Sequence, residues 1–437
     1  MLEKIYLGIL AVIFALIVVH APIIVGFGTL LPKYALLIKA WKEILMLVAL
    51  VLAVVILTRR RMWRTLMHDW LLWGILLFAA LLLVLIPLHY QGASATVAGL
   101  AIDLRYLLFF SLVYTAVKLV PSYRDVMLKI GIGGAMVVVG FATLQLFLPA
   151  NILSHIGYDK NTTIAPYLTV DKNPSFIREN STLRGPNPLG AYAVIVLGLL
   201  TAALIRMRSR LEENKFRIMT GLLAVGALVS LWVSYSRSAL IASVLAIIIV
   251  VVTAAKQKIP RAAWISACVV LLALVGGLIA QRDNPFVSNV ILHINPEGGS
   301  SVTSNDGHVS SLMTGLQQLQ HQPLGAGIGS TGSASLLGVS PEIVENQFLF
   351  VAHEAGWLGL ILFVLIWGIV LSRLWNRRKD WLALGAFAGG MGLVFIGLLL
   401  PVLTDDTVSI IWWGLAAVVI GGSDARHKAK QKAARTV

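Results

Sequence analysis

A succession of long apolar runs, each near the length that crosses a bilayer core, constrains this chain more than any other feature. Stretches of about twenty apolar residues fall at 6–28, 41–58, 69–87, 96–117, 130–150, 188–205, 218–235, 238–255, 263–281, 346–371, 381–401 and 406–422. The sequence therefore predicts a single all-α polytopic membrane domain over 1–437, with about 12 transmembrane helices. Composition agrees: 13% of the 437 residues are charged and mean hydropathy is +0.85, whereas a soluble domain is about a quarter charged. The single cysteine, Cys268, lies inside an apolar run, so no internal disulfide forms.

Charge sets the orientation. With both ends on the cytoplasmic side, 25 of the 35 basic residues and only 7 of the 20 acidic ones fall inside, as the positive-inside rule requires. The net charge of +15 then reads as a topology signal and not as a nucleic-acid footprint. The first apolar run is too long for a signal peptide and no cleavage site follows it. Two outer segments exceed a connector, 151–187 and 282–345. Both mix Gly, Pro, Asn, Ser and charge, which predicts irregular structure. Within the larger one, Val309–Gln320 has helical spacing, with Leu312, Leu316 and Leu319 on one side and Gly307 and Pro323 as its limits.

Charges that survive at membrane boundaries are functional candidates. Arg237 sits in the minimal turn Tyr235-Ser236-Arg237-Ser238 between two spans. A confined guanidinium suits a phosphate, which it grips with paired hydrogen bonds; anchoring to lipid headgroups is the other reading. Arg105 follows Asp103, a spacing that does not face itself along one helix, so it reads either as an interhelical pair or as a ligand contact. Arg178 and Arg184 flank Glu179 ahead of Gly185-Pro186-Asn187-Pro188, where they either shape a cavity mouth or remain solvated. Glu345 and Asn346 lie where the large loop returns to the membrane, a suitable place for a general base. His353 and Glu354 form either site residues or an interfacial cap. Asp405 and Asp406 read as a solvated turn. The glycines of Pro323-Leu324-Gly325-Ala326-Gly327-Ile328-Gly329 lack a P-loop lysine and suit tight turns or close backbone approach. No HExxH or cysteine spacing announces a metal, and no cofactor is expected.

Taken in order, Ser236-Arg237-Ser238, the Gly307-His308 to Gly329 segment, and Glu345-Asn346 through Glu354-Ala355-Gly356-Trp357-Leu358-Gly359 resemble the bacterial O-antigen ligase and O-antigen polymerase (Wzy-like) superfamily of membrane glycosyltransferases. The resemblance implies a GT-C-like enzyme with the large periplasmic or extracellular loop, carrying short helices, over its active site. Such an enzyme takes a glycan from undecaprenyl diphosphate without a metal or nucleotide sugar. Polymerases pass it to a lipid-linked repeat and ligases to lipid A–core. The resemblance further implies an inner-membrane location and a site facing outwards. Arg237 matches a family arginine held to bind the diphosphate. Two positions depart: Gly307-His308 stands where Gly-Arg is usual, and Glu345-Asn346 where His-Asn is expected. The second cationic role would then move to Arg105, Arg178, Arg184 or Arg282, and Glu345, with His308 as runner-up, would act as base. These departures favour a polymerase-like member, with a ligase as the alternative. A transporter or flippase fits the span count, but the polar clusters favour the outer face over the midplane and no inverted repeat is evident. A scaffolding protein would leave the tight placement of Arg237 unexplained.

Overall fold

The computed structural model describes residues 1–170, 172–255, 276–277, 279–288, 304–338 and 341–434. Among them, eight helical segments are long and apolar enough to cross a membrane: Leu2–Leu30, Trp41–Arg60, Ala93–Leu119, Tyr123–Gln145, Pro186–Arg206, Asn214–Val233, Arg237–Ala254 and Gln347–Asn376. Trp70–Leu85, Trp381–Gly397 and Asp406–Gly422 are apolar but shorter. The chain is an all-α, multi-pass membrane protein. The expected span at 263–281 lies largely outside the described residues.

These helices are two-sided in a way that suits lipid. On Trp41–Arg60, Met46, Ala49, Ala53 and Ile56 are buried, while Leu47, Val51 and Val54 face outwards. Both faces are apolar, so spacing separates protein-facing from lipid-facing positions without a change of polarity. With lipid outside, close packing holds the helices together. Gly198 lies so near the 381–397 helix that a Cβ there would meet the Gly385 carbonyl oxygen and the Gly389 nitrogen, each at 3.2 Å.

Backbone breaks are matched by specific partners. Pro22 has no N–H to give the Val18 carbonyl, and the first span divides into Leu2–Leu16 and His20–Leu30 around a 3-10 turn. The Thr182 hydroxyl donates to the Val18 carbonyl at 2.6 Å, and the Thr407 hydroxyl to that of Ile17 at 2.9 Å. The break thereby ties the first span to the 151–185 loop and to the last helix. At the opposite end, Arg373 grips both Asp69 carboxylate oxygens at 2.6 and 2.7 Å, and Arg124 donates to Asp380 at 2.9 Å.

Two expectations for the loops are corrected. The 151–187 segment is not wholly irregular: Leu168–Val170 pairs antiparallel with Asn173–Arg178. The loop helix runs Ser304–His321, so Gly307 lies inside it. Leu319 is buried, but Leu312 and Leu316 are exposed. The helix instead seats through Leu319 and Gly315, where a Cβ would stand 3.0 Å from Leu349.

Candidate active site at the loop end of the bundle

Arg237 is the first residue of the Arg237–Ala255 helix. The first N–H groups of a helix have no partner within it, and its dipole favours an anion there. The preceding turn is held tightly. Tyr235 adopts φ +46°, and Gly190 of the Pro186–Arg206 helix lies where a Cβ would stand 2.7 Å from Ala239 and 3.0 Å from Ser236. Arg178 closes the other side, its Nε donating to the Ser234 carbonyl at 2.8 Å and its Nη2 to Asn187 Oδ1 at 2.6 Å. Asn187 belongs to the first turn of the Pro186–Arg206 helix. Two helix N-termini and two arginines thus meet at one place, an arrangement suited to an anion.

Rings flank this corner. Phe286 stacks on Trp232 at 5.9 Å between centroids and meets Tyr235 and Phe176 edge-on. Arg282, four residues before Phe286, has an exposed side chain 3.9 Å from Asp283. Glu179 is buried beside Arg178, and its N–H donates to the Val233 carbonyl at 3.0 Å. Burial pushes its carboxyl up to about 7.

Arg105 occupies a different setting. It is buried against Asp406, donates to the Thr404 carbonyl, and comes within 4.0 Å of Glu43. Asp406 also takes His20 Nε2 at 2.8 Å and Lys42 Nζ at 3.4 Å. Trp41 Nε1 can only donate, and it points at His20 Nδ1 at 2.9 Å, so the hydrogen of a neutral His20 resides on Nε2. The expected solvated turn at 405–406 is therefore corrected: both aspartates are buried. Asp405 caps the last helix through the N–H groups of Thr407 and Val408. Arg184 is exposed near Asp405 and acts on its carboxyl electrostatically.

The second half of the site is built on a broken helix. Gln347–Asn376 starts from Asn346, whose Oδ1 accepts from the N–H groups of Phe348 and Leu349 and whose Nδ2 donates to the Leu398 carbonyl. Asn346 is thus a cap. At Gly356 the backbone turns to φ +65° and ψ −167°. The glycine loop supplies the missing partners: Ala326 N–H donates to the His353 carbonyl at 2.6 Å, and Trp357 N–H to the Pro323 carbonyl at 3.1 Å. Gln91 fixes the loop from the other side by donating to the Ala326 carbonyl at 2.7 Å.

Glu354 lies under this loop, buried, and accepts from the Gly329 N–H at 3.1 Å. Asp103 is buried beside it. His353 is buried, with Nε2 3.7 Å from Glu342. His353 and Glu354 are therefore interior residues and not an interfacial cap. Glu345 N–H donates to Ser311 Oγ at 3.1 Å, joining the loop helix to the start of the broken helix. The His308 side chain lies outside the described residues.

The structure thus groups Arg178 with the Arg237 turn, Arg184 and Arg105 with the 404–406 segment, and Glu345 with Asn346, His353 and the loop helix. Contacts of Asn346 with Leu398, of Gln347 with Leu403, and of Arg105 with Thr404 join the last two groups. Sequence reading missed His20, Lys42 and Glu342, and gave Glu179 no role of its own. His20 and Lys42 did carry a signal, since each is a polar residue within an apolar run.

Residues 222–364 match the family model described as O-antigen ligase. The chain carries an O-antigen ligase family segment. Over those residues the match agrees with the resemblance of its motifs to the superfamily of ligases and Wzy-like polymerases, a family of membrane glycan-transfer enzymes. This O-antigen ligase segment takes in the Arg237 turn, the loop helix, the glycine loop, Glu345 and the break at Gly356. Arg178, Arg184 and the Arg105–Asp406 cluster come from the preceding and following chain. No curated protein matches the chain.

Proposed function

We propose that this protein is a glycosyltransferase moving a glycan from undecaprenyl diphosphate to a sugar hydroxyl, as a surface-polysaccharide polymerase of the bacterial inner membrane. The observation that carries the reading is Arg237 at a helix N-terminus, in a turn clamped by Arg178 and Gly190. In this account the bundle has twelve spans in a GT-C-like arrangement, both termini cytoplasmic, and the 282–345 loop over an outward-facing site. Transfer to lipid A–core is the second reading, favoured by the description of the matched family.

The chemistry follows from charge. The bond between sugar C1 and the phosphate oxygen breaks, and its electron pair stays on the diphosphate. Arg237, the helix N-termini and Arg178 stabilise that growing charge more in the transition state than before it. Arg184, beside Asp405, and the exposed Arg282 are the further cations of this scheme. Arg105 is neutralised by Asp406 and holds the 404–406 segment in place. The acceptor hydroxyl forms the new bond to C1 and gives its proton to Glu345, from which it passes to water. His308 is the alternative base. Attack opposite the leaving group inverts the anomeric centre. The arginines supply the positive charge, so the scheme calls for no metal.

The test is Arg237→Lys, which retains charge but loses the paired donors. With donor below saturation, turnover should fall at least tenfold. Wild-type turnover under those conditions would contradict the role.

A further inference from the structure

A cavity of about 440 Å³ opens between the Ser304–His321 helix and residues 342–345, a size within the roughly 300–1,000 Å³ of small-molecule sites. Its polar lining comes from Ser310, Ser311, Thr314 and Gln318 on one side and Glu342 and Glu345 on the other. Positions 311, 314 and 318 recur at helical spacing and share one face.

The wall is fixed before anything binds. Gly315 and Leu319 seat the helix against Leu349 and Val344. Glu342 is held from three directions. Gln318 Nε2 donates to its Oε1 at 2.6 Å, Gly332 N–H to its carbonyl at 2.8 Å, and its own N–H donates to Ser335 Oγ at 3.0 Å. One group is left waiting: Gln318 Oε1 is buried and meets no hydrogen-bond donor among the described residues. A buried acceptor of this kind calls for a ligand or water donor.

We infer that this cavity is the subsite for the acceptor glycan, which it holds through sugar hydroxyls. The inference rests on the transfer reaction proposed above and adds where its second substrate sits. Hydroxyls are donors and acceptors at once, so they satisfy Gln318 Oε1 and the carboxylates while accepting from Ser310, Ser311 and Thr314. Two carboxylates in the wall repel a diphosphate, which separates this cavity from the cationic corner at Arg237. A sugar seated here presents a hydroxyl to Glu345, the residue that takes its proton.

The test uses the full chain in nanodiscs with the undecaprenyl-diphosphate-linked oligosaccharide from host membranes as donor and substrate. The same oligosaccharide, freed from its lipid by mild acid, serves as the binding probe and soluble acceptor. Gln318→Leu removes both amide interactions, and Thr314→Val removes one exposed hydroxyl at nearly constant size. Each should raise acceptor KM by about tenfold or less, the loss of one or two hydrogen bonds, with donor KM moved less than twofold. Binding of the freed oligosaccharide, followed by saturation-transfer NMR, should weaken in parallel. Unchanged acceptor KM and binding in folded Thr314→Val and Gln318→Leu would overturn the assignment. A rise in donor KM alone would also overturn it, placing the donor's sugar in the cavity. So would binding abolished by EDTA and restored by calcium, which would make this a cation site. If the wild-type chain transfers no glycan yet binds the freed oligosaccharide through Gln318, the sugar subsite stands and the transfer reading fails.

Discussion

Glu179 carries a buried carboxyl beside the Arg237 turn, pushed by burial from its ordinary 4.5 up to about 7. In the unfolded chain it ionises near 4.5, so its contribution to stability is complete below that pH and is lost as pH rises through about 7. Glu179→Gln should therefore raise the melting temperature relative to wild type more at pH 8 than at pH 5. A pH-independent difference would contradict the assignment. Glu345 offers a second test at this scale: with both substrates saturating, Glu345→Gln should lower kcat by roughly 10²–10⁴-fold. Normal turnover in Glu345→Gln beside a dead His308→Ala would reverse the choice of base. Arg237 was legible because a cation in a minimal turn has few structural uses. Lys42 and His20 were not, since their partner Asp406 lies more than 360 positions away in the sequence. Arg105 remained ambiguous for the same reason, as its partner was not its neighbour Asp103 but Asp406.

The broken helix and the glycine loop act as one element. Gly356 frees backbone groups that Pro323 and Ala326 satisfy, and the loop approaches so closely that a Cβ at Gly327 would lie 2.0 Å from the His89 carbonyl oxygen. Gly327→Ala and Gly356→Ala, both at positive φ with no room, should sharply reduce the yield of folded protein. Gly133→Ala, on a helix with nothing within 4 Å, should leave that yield intact. Equal yields from all three, measured by size-exclusion chromatography in detergent, would contradict the interlock. The glycine spacing already pointed to close backbone approach. What it approached was hidden, because Glu354-Ala355-Gly356-Trp357 reads as part of an uninterrupted apolar run. Gly307 misled in the opposite direction: tertiary seating through Gly315 and Leu319 carries the loop helix past it.

For the molecule as a whole, the length of the apolar runs was enough to reveal a multi-pass bundle, because lipid-facing and protein-facing positions are both apolar. Charge was enough to propose its orientation. In a Cys268→Ala background, Ser301→Cys should label from outside intact cells and Ser423→Cys should not; outside labelling at 423 would contradict the topology. The polar clusters at the loop end were individually visible, but their grouping depends on contacts such as Arg178 to Ser234 that no local pattern encodes. The central claim is that these groups move a glycan between carriers. Its most direct test follows a sugar-labelled undecaprenyl-diphosphate oligosaccharide in vesicles containing the purified chain, by mass and by leaflet. The glycan should be extended by repeat units, or moved onto lipid A–core, with matching release of undecaprenyl diphosphate and a sharp loss in Arg237→Lys. Label that changes leaflet while its chain length and carrier stay intact would contradict it.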